Sequence, residues 1–247
     1  MKNWQFIGLI VLLFLLSCSK ETDHITTSDS ESPMLLTKIT YDGEVRYKYF
    51  YDSENRLIQM KTFYNDSCTS TESYEYNKQY KFEKRFYDSF EESYEYNDQG
   101  LLISRTGYYE KTEKTWEEEY HYNSKDQIEN GIVYFNGEKI GYITYQYNES
   151  GNTTVRKEYG NDDFLVSEYR FTFDNFNSPF ALTFPLDIIR KNNITKYYYY
   201  SVVMSAPPPE YSATFEYNSE RLPVKETRII PYSEESVIVE YSYNSSD

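Results

Sequence analysis

The stretch YEYNDQGLL, residues 94–102, decides the fold because it joins the end of a strand to a turn. Tyr94 and Tyr96 alternate with a charged residue, and this period of two places both rings on one face of a β-strand. Asn97 has a short side chain that can bond backbone amides further along, and Gly100 can adopt the left-handed conformation that closes such a turn. The stretch therefore predicts a β-hairpin corner with one aromatic face.

The same pattern, aromatic, variable, aromatic and then Asp or Asn, recurs along the chain about every 25 residues. The clearest turns pair the polar residue with a left-handed residue three positions later, as in Asp52 and Asn55, Asn97 and Gly100, and Asn148 and Gly151. Asp174 and Asn177 predict a further turn of this kind. Arg221 is poorly suited to the left-handed region, so the turn after Asn218 is predicted to differ in detail.

Composition and repeat length together predict an all-β protein. The chain has 30 tyrosines, a residue that suits a pleated surface buried on one side and wet at its tip. Eight repeats, each with room for two strands, predict an antiparallel meander of about 14 to 16 strands. A flat sheet of this size would expose a whole aromatic face, so we predict closure into a barrel. An open but strongly curled sheet is the alternative, and a closed barrel is expected to be flattened so that tyrosines fill its lumen.

The N-terminus is typical of a bacterial lipoprotein. Residues 1–17 are predicted to be a signal peptide, because the apolar run from Phe6 to Leu16 is too short to span a bilayer as a helix. The sequence Leu15-Leu16-Ser17-Cys18 resembles the lipobox, in which the peptide is cut before the cysteine and its sulfur receives acyl chains such as palmitate. Cys18 is therefore the predicted lipidation site. Residues 18–35 are polar and acidic and predict a flexible tether.

These features predict an outer-membrane protein that contacts the membrane through the lipid on Cys18. The acidic segment Ser19 to Asp23 resembles an export signal of Bacteroidota-type lipoproteins and favours the surface-exposed leaflet, with the periplasmic side as the alternative. Aromatic residues run along the strands and charges occupy the other face, a pattern that disfavours a membrane-spanning barrel. A net charge of −15 argues against nucleic acid and favours neutral or basic partners. The partners considered are a glycan, a peptide or an envelope protein.

The repeat resembles a known one. Its clearest copy, YFYDSENRL at residues 49–57, is similar to the YD repeat. From residue 36 to 247 the chain resembles YD-repeat-like lipoproteins of Bacteroidota type, which include a domain of unknown function with a porin-like β fold. The resemblance implies a single β domain and supplies no catalytic residues.

The repeat is interrupted between Phe173 and Tyr217, where the sequence predicts an insertion at about 178–212. Aromatic residues here occupy both faces of one predicted strand, and exposed aromatics can stack on sugars or peptides. The candidate binding residues are Tyr197, Tyr198, Tyr199 and Tyr200 in this segment, together with Trp116 outside it. The alternative is that the insertion is a plug that covers one end of the barrel and buries its own apolar side chains.

The sequence predicts no catalytic residue, no metal site and no cofactor. Its two histidines, His24 and His121, give no Ser-His-Asp set, and neither zinc-like spacing nor a glycine-rich phosphate loop is present. Carboxylate clusters such as Glu91–Glu92 are predicted to lie on solvated faces and turns, whereas Glu118 is expected on the aromatic face.

Two functions remain after these exclusions. The first is a lipid-anchored, non-catalytic binding or adhesion module at the cell surface. The second is a structural or scaffolding protein on the periplasmic side of the outer membrane. A saturable ligand would favour the first function, and stable association with envelope proteins would favour the second.

Overall fold

The computed structural model describes residues 33–79, 81–183, 190–202, 210–231 and 236–244. Within these residues the chain forms sixteen β-strands and one short helix, which confirms the predicted all-β class and strand number. No helix in this part of the chain is long and apolar enough to cross a bilayer. The predicted signal peptide, the lipidation site Cys18 and the tether up to residue 32 fall outside the described residues.

The strands follow one another along the chain with a single helix between the twelfth and thirteenth. Their bounds are β1 Leu36–Tyr41, β2 Glu44–Tyr51, β3 Leu57–Tyr64, β4 Ser67–Tyr76, β5 Phe82–Tyr87, β6 Phe90–Tyr96, β7 Leu102–Tyr109, β8 Lys114–Tyr122, β9 Ile128–Phe135, β10 Glu138–Tyr147, β11 Thr153–Gly160, β12 Leu165–Asn177, α1 Pro179–Thr183, β13 Asn192–Ser201, β14 Glu210–Tyr217, β15 Pro223–Ile229 and β16 Ser236–Tyr243.

The sheet is an antiparallel meander that closes on itself. Each strand pairs with the strands before and after it in the sequence, and β1 completes the ring by pairing with β16. In this closing pair Ile39 lies opposite Tyr241, and Tyr41 lies opposite Val239. The predicted closed barrel is confirmed, and the curled open sheet is not observed. Closure leaves neither β1 nor β16 with a free edge.

The two ends of the barrel are built differently. The repeat turns, for example residues 52–56 and 97–101, lie at one end together with the start of β1 and the end of β16, and we call it the turn end. The opposite end, which we call the hairpin end, has short connections such as Asn65–Asp66 and Asn136–Gly137. Both residues of these two connections have positive φ, as two-residue hairpins of the primed type require.

The repeat turns share one hydrogen-bond pattern. In the turn at Asn97, the side-chain Oδ1 accepts the backbone N–H groups of Gln99 at 3.0 Å and Leu101 at 2.9 Å, and Gly100 has a φ of 84°. Equivalent acceptors are Asp52, Asn123, Asn148 and Asn218, and the equivalent left-handed residues are Asn55, Asp126, Gly151 and Arg221. The expectation that the Arg221 turn differs is therefore wrong, since the side chain of Asn218 imposes the same closure.

The predicted turn at Asp174 and Asn177 is also wrong, because β12 continues through both residues. The Asp174 carboxylate accepts the backbone N–H of Asn193 at 3.1 Å, its side-chain amide at 3.0 Å, and the hydroxyl of Tyr217. The carboxylate also keeps the local bond from the backbone N–H of Phe176 at 2.9 Å, but the chain continues as a strand and closes no turn here. The segment 178–212, predicted as an insertion, contains α1 and the whole of β13, which is a strand of the barrel wall.

The aromatic face of every repeat points into the barrel, and the interior is filled. The first tyrosines of the repeat pairs are buried, namely Tyr49, Tyr74, Tyr94, Tyr120, Tyr145 and Tyr241. Ile39 and Ile143 are each 2% exposed on the same inner face. A side chain on the wall of a wide hollow barrel would face luminal water, so this burial requires side chains from other strands to cover it.

The second tyrosine of most pairs ties its strand to the preceding repeat. Its hydroxyl donates a hydrogen bond to the carbonyl oxygen of a residue at or near the start of an earlier strand. These bonds are Tyr51 to Leu36, Tyr76 to Leu57, Tyr96 to Phe82, Tyr122 to Leu102, Tyr147 to Ile128 and Tyr243 to Pro223, with lengths from 2.7 to 3.0 Å. The repeated Tyr therefore both buries a ring and fixes the spacing of neighbouring hairpins.

Candidate ligand-binding site

The inner face of the barrel has a line of alternating carboxylates and guanidiniums. Three glutamates each lie two residues before the first tyrosine of a repeat. Arg85 and Arg105 come from the return strands between them, and Arg156 comes from the later return strand β11. The nitrogen–oxygen distances along this line are 3.7 Å for Arg85–Glu72, 2.7 Å for Arg85–Glu92, 4.0 Å for Arg105–Glu92, 3.2 Å for Arg105–Glu118 and 4.0 Å for Arg156–Glu118. A buried charge is stabilised by an oppositely charged group beside it, and each charge in this line has such a neighbour.

Sequence reasoning missed most of this line. Glu92 was predicted to lie on a solvated face, but its side chain is only 5% exposed, and its Oε2 accepts the hydroxyl of Tyr94 at 2.6 Å. The available signal was the period of two, since Glu92 precedes Tyr94 by two residues and must share its face. Glu118, which was expected on the aromatic face, lies there beside Tyr120 and accepts its hydroxyl.

Burial and the neighbouring charges shift the pKa values of a tyrosine and an arginine along the line. Burial, followed by the charge of Glu118, raises the pKa of Tyr145 to about 12, so this phenol keeps its proton at neutral pH. Burial alone would lower the pKa of the Arg105 guanidinium, but the nearby Tyr120, Glu118 and Glu92 outweigh it and the pKa is raised. The line therefore keeps its positive charges at any physiological pH.

A cavity of about 320 Å³ opens beside this line near the hairpin end, and we call it the hairpin-end cavity. Its charged and aromatic lining includes Trp116, Arg105, Glu118, Arg156 and Glu158. Ile140 also lines it and is 49% exposed, which places this side chain at the mouth. The volume is at the lower end of the range for small-molecule sites, so the cavity suits a small ligand.

Two glycines near the cavity allow close approach of a ring and of the neighbouring backbone. Gly107 lies opposite Trp116 in the β7–β8 pair, and a Cβ atom there would be 2.7 Å from Cζ of Phe90 and 3.3 Å from Cε3 of the indole. At Gly141 a Cβ atom would be 2.0 Å from the carbonyl oxygen of Tyr159. Neither position therefore accepts a side chain without displacement of its neighbours.

Arg105 and Glu118 have hydrogen-bonding capacity that the protein does not use. The Arg105 guanidinium stacks over Trp116, with 4.5 Å from Cζ to the ring centroid, and donates to Glu118 Oε2 at 3.2 Å. Among the described residues its Nε is buried and has no hydrogen-bond partner. Glu118 Oε1 has Arg156 at 4.0 Å, which is longer than a hydrogen bond. Nη1 of Arg105 is likewise 4.0 Å from Glu92 Oε1, so a guanidinium nitrogen and a carboxylate oxygen of the lining lack close partners among the described residues.

The structure brings Trp116 into the cavity but not the four tyrosines of β13. Tyr197 and Tyr199 pack on the inner face, with ring centroids 5.3 Å from Tyr211 and 4.7 Å from Tyr169, respectively. Tyr198 lies on the other face under Arg170, and Tyr200 beside it is 39% exposed. None of the four lines the hairpin-end cavity. They contribute to the barrel wall near β12 and β14.

A larger recess of about 530 Å³ lies at the turn end among the repeat turns. Much of its wall consists of exposed residues, such as Lys125, Glu149 and Lys191. Close by, α1 packs Phe180 edge-on against Tyr241 at 6.3 Å, and Arg190 lies over the Phe180 ring at 4.2 Å. This packing against a buried tyrosine agrees with the plug alternative for α1. The recess itself lies at the protein surface, because many of its lining residues are exposed.

No metal-binding group was found in the part of the chain that the structure describes, taking sets of three or more His, Cys, Asp or Glu side chains. His121 is exposed on the outer face of β8, away from the cavity. The hairpin-end cavity is lined by guanidinium, carboxylate and aromatic side chains together with apolar ones.

No protein-family model and no curated protein sequence matches this chain. Among solved structures, a porin-like protein from Bacteroides uniformis matches with a TM-score of 0.53 and 15% identity, over 86% of this chain and 99% of that one. A porin-like protein from Bacteroides vulgatus matches over 86% and 99% of the two chains, with a TM-score of 0.46 and 13% identity. The first likeness shows the fold alone. This chain is therefore a closed antiparallel barrel similar in fold to a porin-like protein, while membership of the YD-repeat-like lipoproteins stays a prediction.

Proposed function

We propose that this chain is a lipid-anchored, non-catalytic binding protein of the bacterial outer membrane. The hairpin-end cavity carries the proposal, because it places Trp116 beside Arg105 and Glu118 in a recess large enough for a small ligand. The lipobox-like sequence ending at Cys18 supports the anchor, and the acidic segment after it supports the surface-exposed leaflet.

The ion pairing of the cavity carboxylates supports a binding role. Glu118 and Glu158 each have a guanidinium as an ion-pair partner, from Arg105 and Arg156 respectively. The pairs hold fixed donors and acceptors in place, as a recognition site requires.

A ligand screen with a blocked cavity tests the binding role. The purified full chain is screened against glycans and short peptides by thermal shift, and each hit is repeated with Ile140→Trp, which places an indole at the exposed mouth. The matched control is Ile58→Trp, at a side chain that is 40% exposed on the outer face of β3. We expect a hit that Ile140→Trp abolishes and Ile58→Trp preserves. Hits that survive both substitutions would refute the cavity as the site.

Labelling and protease shaving test the anchor and its side of the membrane. Cys18→Ser should abolish incorporation of a palmitate analogue and release the protein from the membrane fraction. In intact cells that express the unaltered chain, an added protease should remove the barrel without lysis. Protection until lysis would contradict the surface location and favour the periplasmic side.

The scaffolding alternative is favoured by the exposed apolar residues around the hairpin end. They include Tyr64, Tyr87, Tyr109, Phe164, Ile229 and Ile230, with exposures from 36% to 60%. The hairpin tips beside them are acidic, as at Asp66 and Asp163, so a basic protein surface would complement them. A photoreactive residue in place of Phe164 should cross-link an envelope protein if this alternative is correct, and one in place of Ile58 should not.

A further inference from the structure

We infer that the hairpin-end cavity takes a neutral saccharide, an inference that rests on the proposed binding function and names its ligand class. The first observation is the balance of charge. Arg105 and Arg156 face Glu118 and Glu158 in the lining, so the four charged groups sum to zero. An added ligand charge would have no free partner here, because each charged group already has one.

The second observation is the pairing of unused donor and acceptor capacity. Among the described residues, Arg105 donates through Nη2 to Glu118 Oε2, and its Nη1 lies 4.0 Å from Glu92 Oε1, which is longer than a hydrogen bond. Glu118 Oε1 lies 4.0 Å from Nη2 of Arg156, which is longer than a hydrogen bond and leaves this oxygen able to accept. A hydroxyl group both accepts and donates, so hydroxyls on adjacent carbons can bond the guanidinium and the carboxylate together.

The third observation is the shape and composition of the walls. Trp116 supplies an aromatic surface against which the C–H groups of a sugar ring can pack, and Val133 and Ile143 add apolar area. An aromatic wall that meets fixed polar groups at one edge matches a molecule with an apolar face and a hydroxylated rim. The volume of about 320 Å³ limits the ligand to a small saccharide or to one terminal residue of a longer glycan.

The test uses probes that differ in charge. Glucose, galactose and N-acetylglucosamine are the neutral probes, and glucuronate and protonated glucosamine are their charged counterparts. Binding to the purified full chain is followed by ligand-detected NMR and by tryptophan fluorescence, since Trp116 is one of two tryptophans in the sequence. We expect saturable binding of a neutral probe, with the charged counterparts weaker by roughly tenfold or more.

Three variants locate the binding. Ile140→Trp should abolish it and Ile58→Trp should leave it unchanged. Trp116→Phe, which keeps a ring but reduces the aromatic surface, should weaken it by up to about tenfold. Charged probes that bind as tightly as neutral ones, with sensitivity to Ile140→Trp, would overturn this inference and leave the proposed binding function standing. If neither these probes nor any glycan or peptide shows binding sensitive to Ile140→Trp, both are overturned.

Discussion

At the scale of single residues, the repeated tyrosine has two separable roles, which Tyr96→Phe distinguishes. The substitution keeps the half-buried ring and removes the hydroxyl that donates to the Phe82 carbonyl at 2.8 Å. Because the carbonyl then loses a partner, we expect the free energy of unfolding to fall by about 1 kcal/mol. Urea denaturation measures the change. Tyr64→Phe is the control, since that ring is 60% exposed, and equal effects of the two substitutions would argue against a role for the Tyr96 hydroxyl.

A second prediction at this scale concerns the buried pair of Arg105 and Glu118. Glu118→Leu removes the nearest carboxylate from a partly buried guanidinium and also the acceptor of the Tyr120 hydroxyl, so we expect a loss of about 3 to 5 kcal/mol. The double variant Arg105→Met/Glu118→Leu should lose less than the sum of the two single losses, because it leaves no unpaired charge.

Chemical denaturation of the two single variants and the double variant gives the coupling free energy. The exposed pair Lys225–Glu216 provides the comparison, where Glu216→Ala should cost less than about 1 kcal/mol. Strictly additive losses for Arg105 and Glu118 would show that their charges do not depend on one another.

At the scale of elements, the repeat turn forms even where an unsuitable residue occupies its left-handed position, and that residue lowers the stability of the barrel. Arg221 has a φ of 62°, in the left-handed region that costs a residue with a Cβ about 1 kcal/mol or more. Arg221→Gly should therefore stabilise the barrel by up to about 1 kcal/mol, less the entropy that glycine loses on folding. Thermal unfolding measures the gain. Gly100→Ala, at the equivalent position with a φ of 84°, should have the opposite sign, and the same sign for both would contradict this account.

The elements also show how far the sequence can predict this fold. The turns at Asp52, Asn97 and Asn148 depend on bonds within five residues, so a local pattern is sufficient to predict them. At Asp174 the local bond from Phe176 is present, but the carboxylate also bonds Asn193, which is distant in the sequence, and the chain continues as β12. Such a partner becomes visible only when β12 and β13 are paired.

Only part of the candidate site could be predicted, because spacing within a strand is visible in the sequence and contacts between strands are not. Glu118 is assigned to the aromatic face by its spacing from Tyr120, and the same period of two applies to Trp116 and to Glu92. The neighbours of these residues come from other strands, and the register between strands decides them. Arg105 lies opposite both Tyr94 and Glu118, a placement that requires the pairing of three strands.

At the scale of the whole molecule, the closed sheet and the packed interior depend on each other. The β1–β16 pair closes the ring, while Leu36 and Val239, which are each 1% exposed, come from these same two strands. Opening this pair would expose apolar side chains and two strand edges together, so the barrel is expected to unfold as one cooperative unit. The tyrosines make this expectation testable through pH.

Alkaline titration should unfold the barrel in one step. Burial is the largest cause that raises the pKa of five inner tyrosines from 10.0 to about 12, namely Tyr76, Tyr96, Tyr122, Tyr145 and Tyr197. In the unfolded chain these phenols ionise near pH 10, so the unfolded state loses protons first. Their contribution to stability is therefore complete below pH 10 and is lost as the pH rises towards 12. Tyrosinate absorbance and circular dichroism, recorded together, should change in the same steep transition.

The control separates buried from exposed phenols. Tyr64→Phe should leave the midpoint of this transition unchanged, because this ring is 60% exposed and contributes little to the packed interior. Tyr122→Phe should make stability fall less steeply with pH, because one fewer phenol is held protonated in the barrel. If tyrosinate absorbance instead reached full amplitude while circular dichroism stayed constant, the inner tyrosines would have to be in contact with water. The lumen would then be hollow, and the filled interior that shapes the hairpin-end cavity would be ruled out.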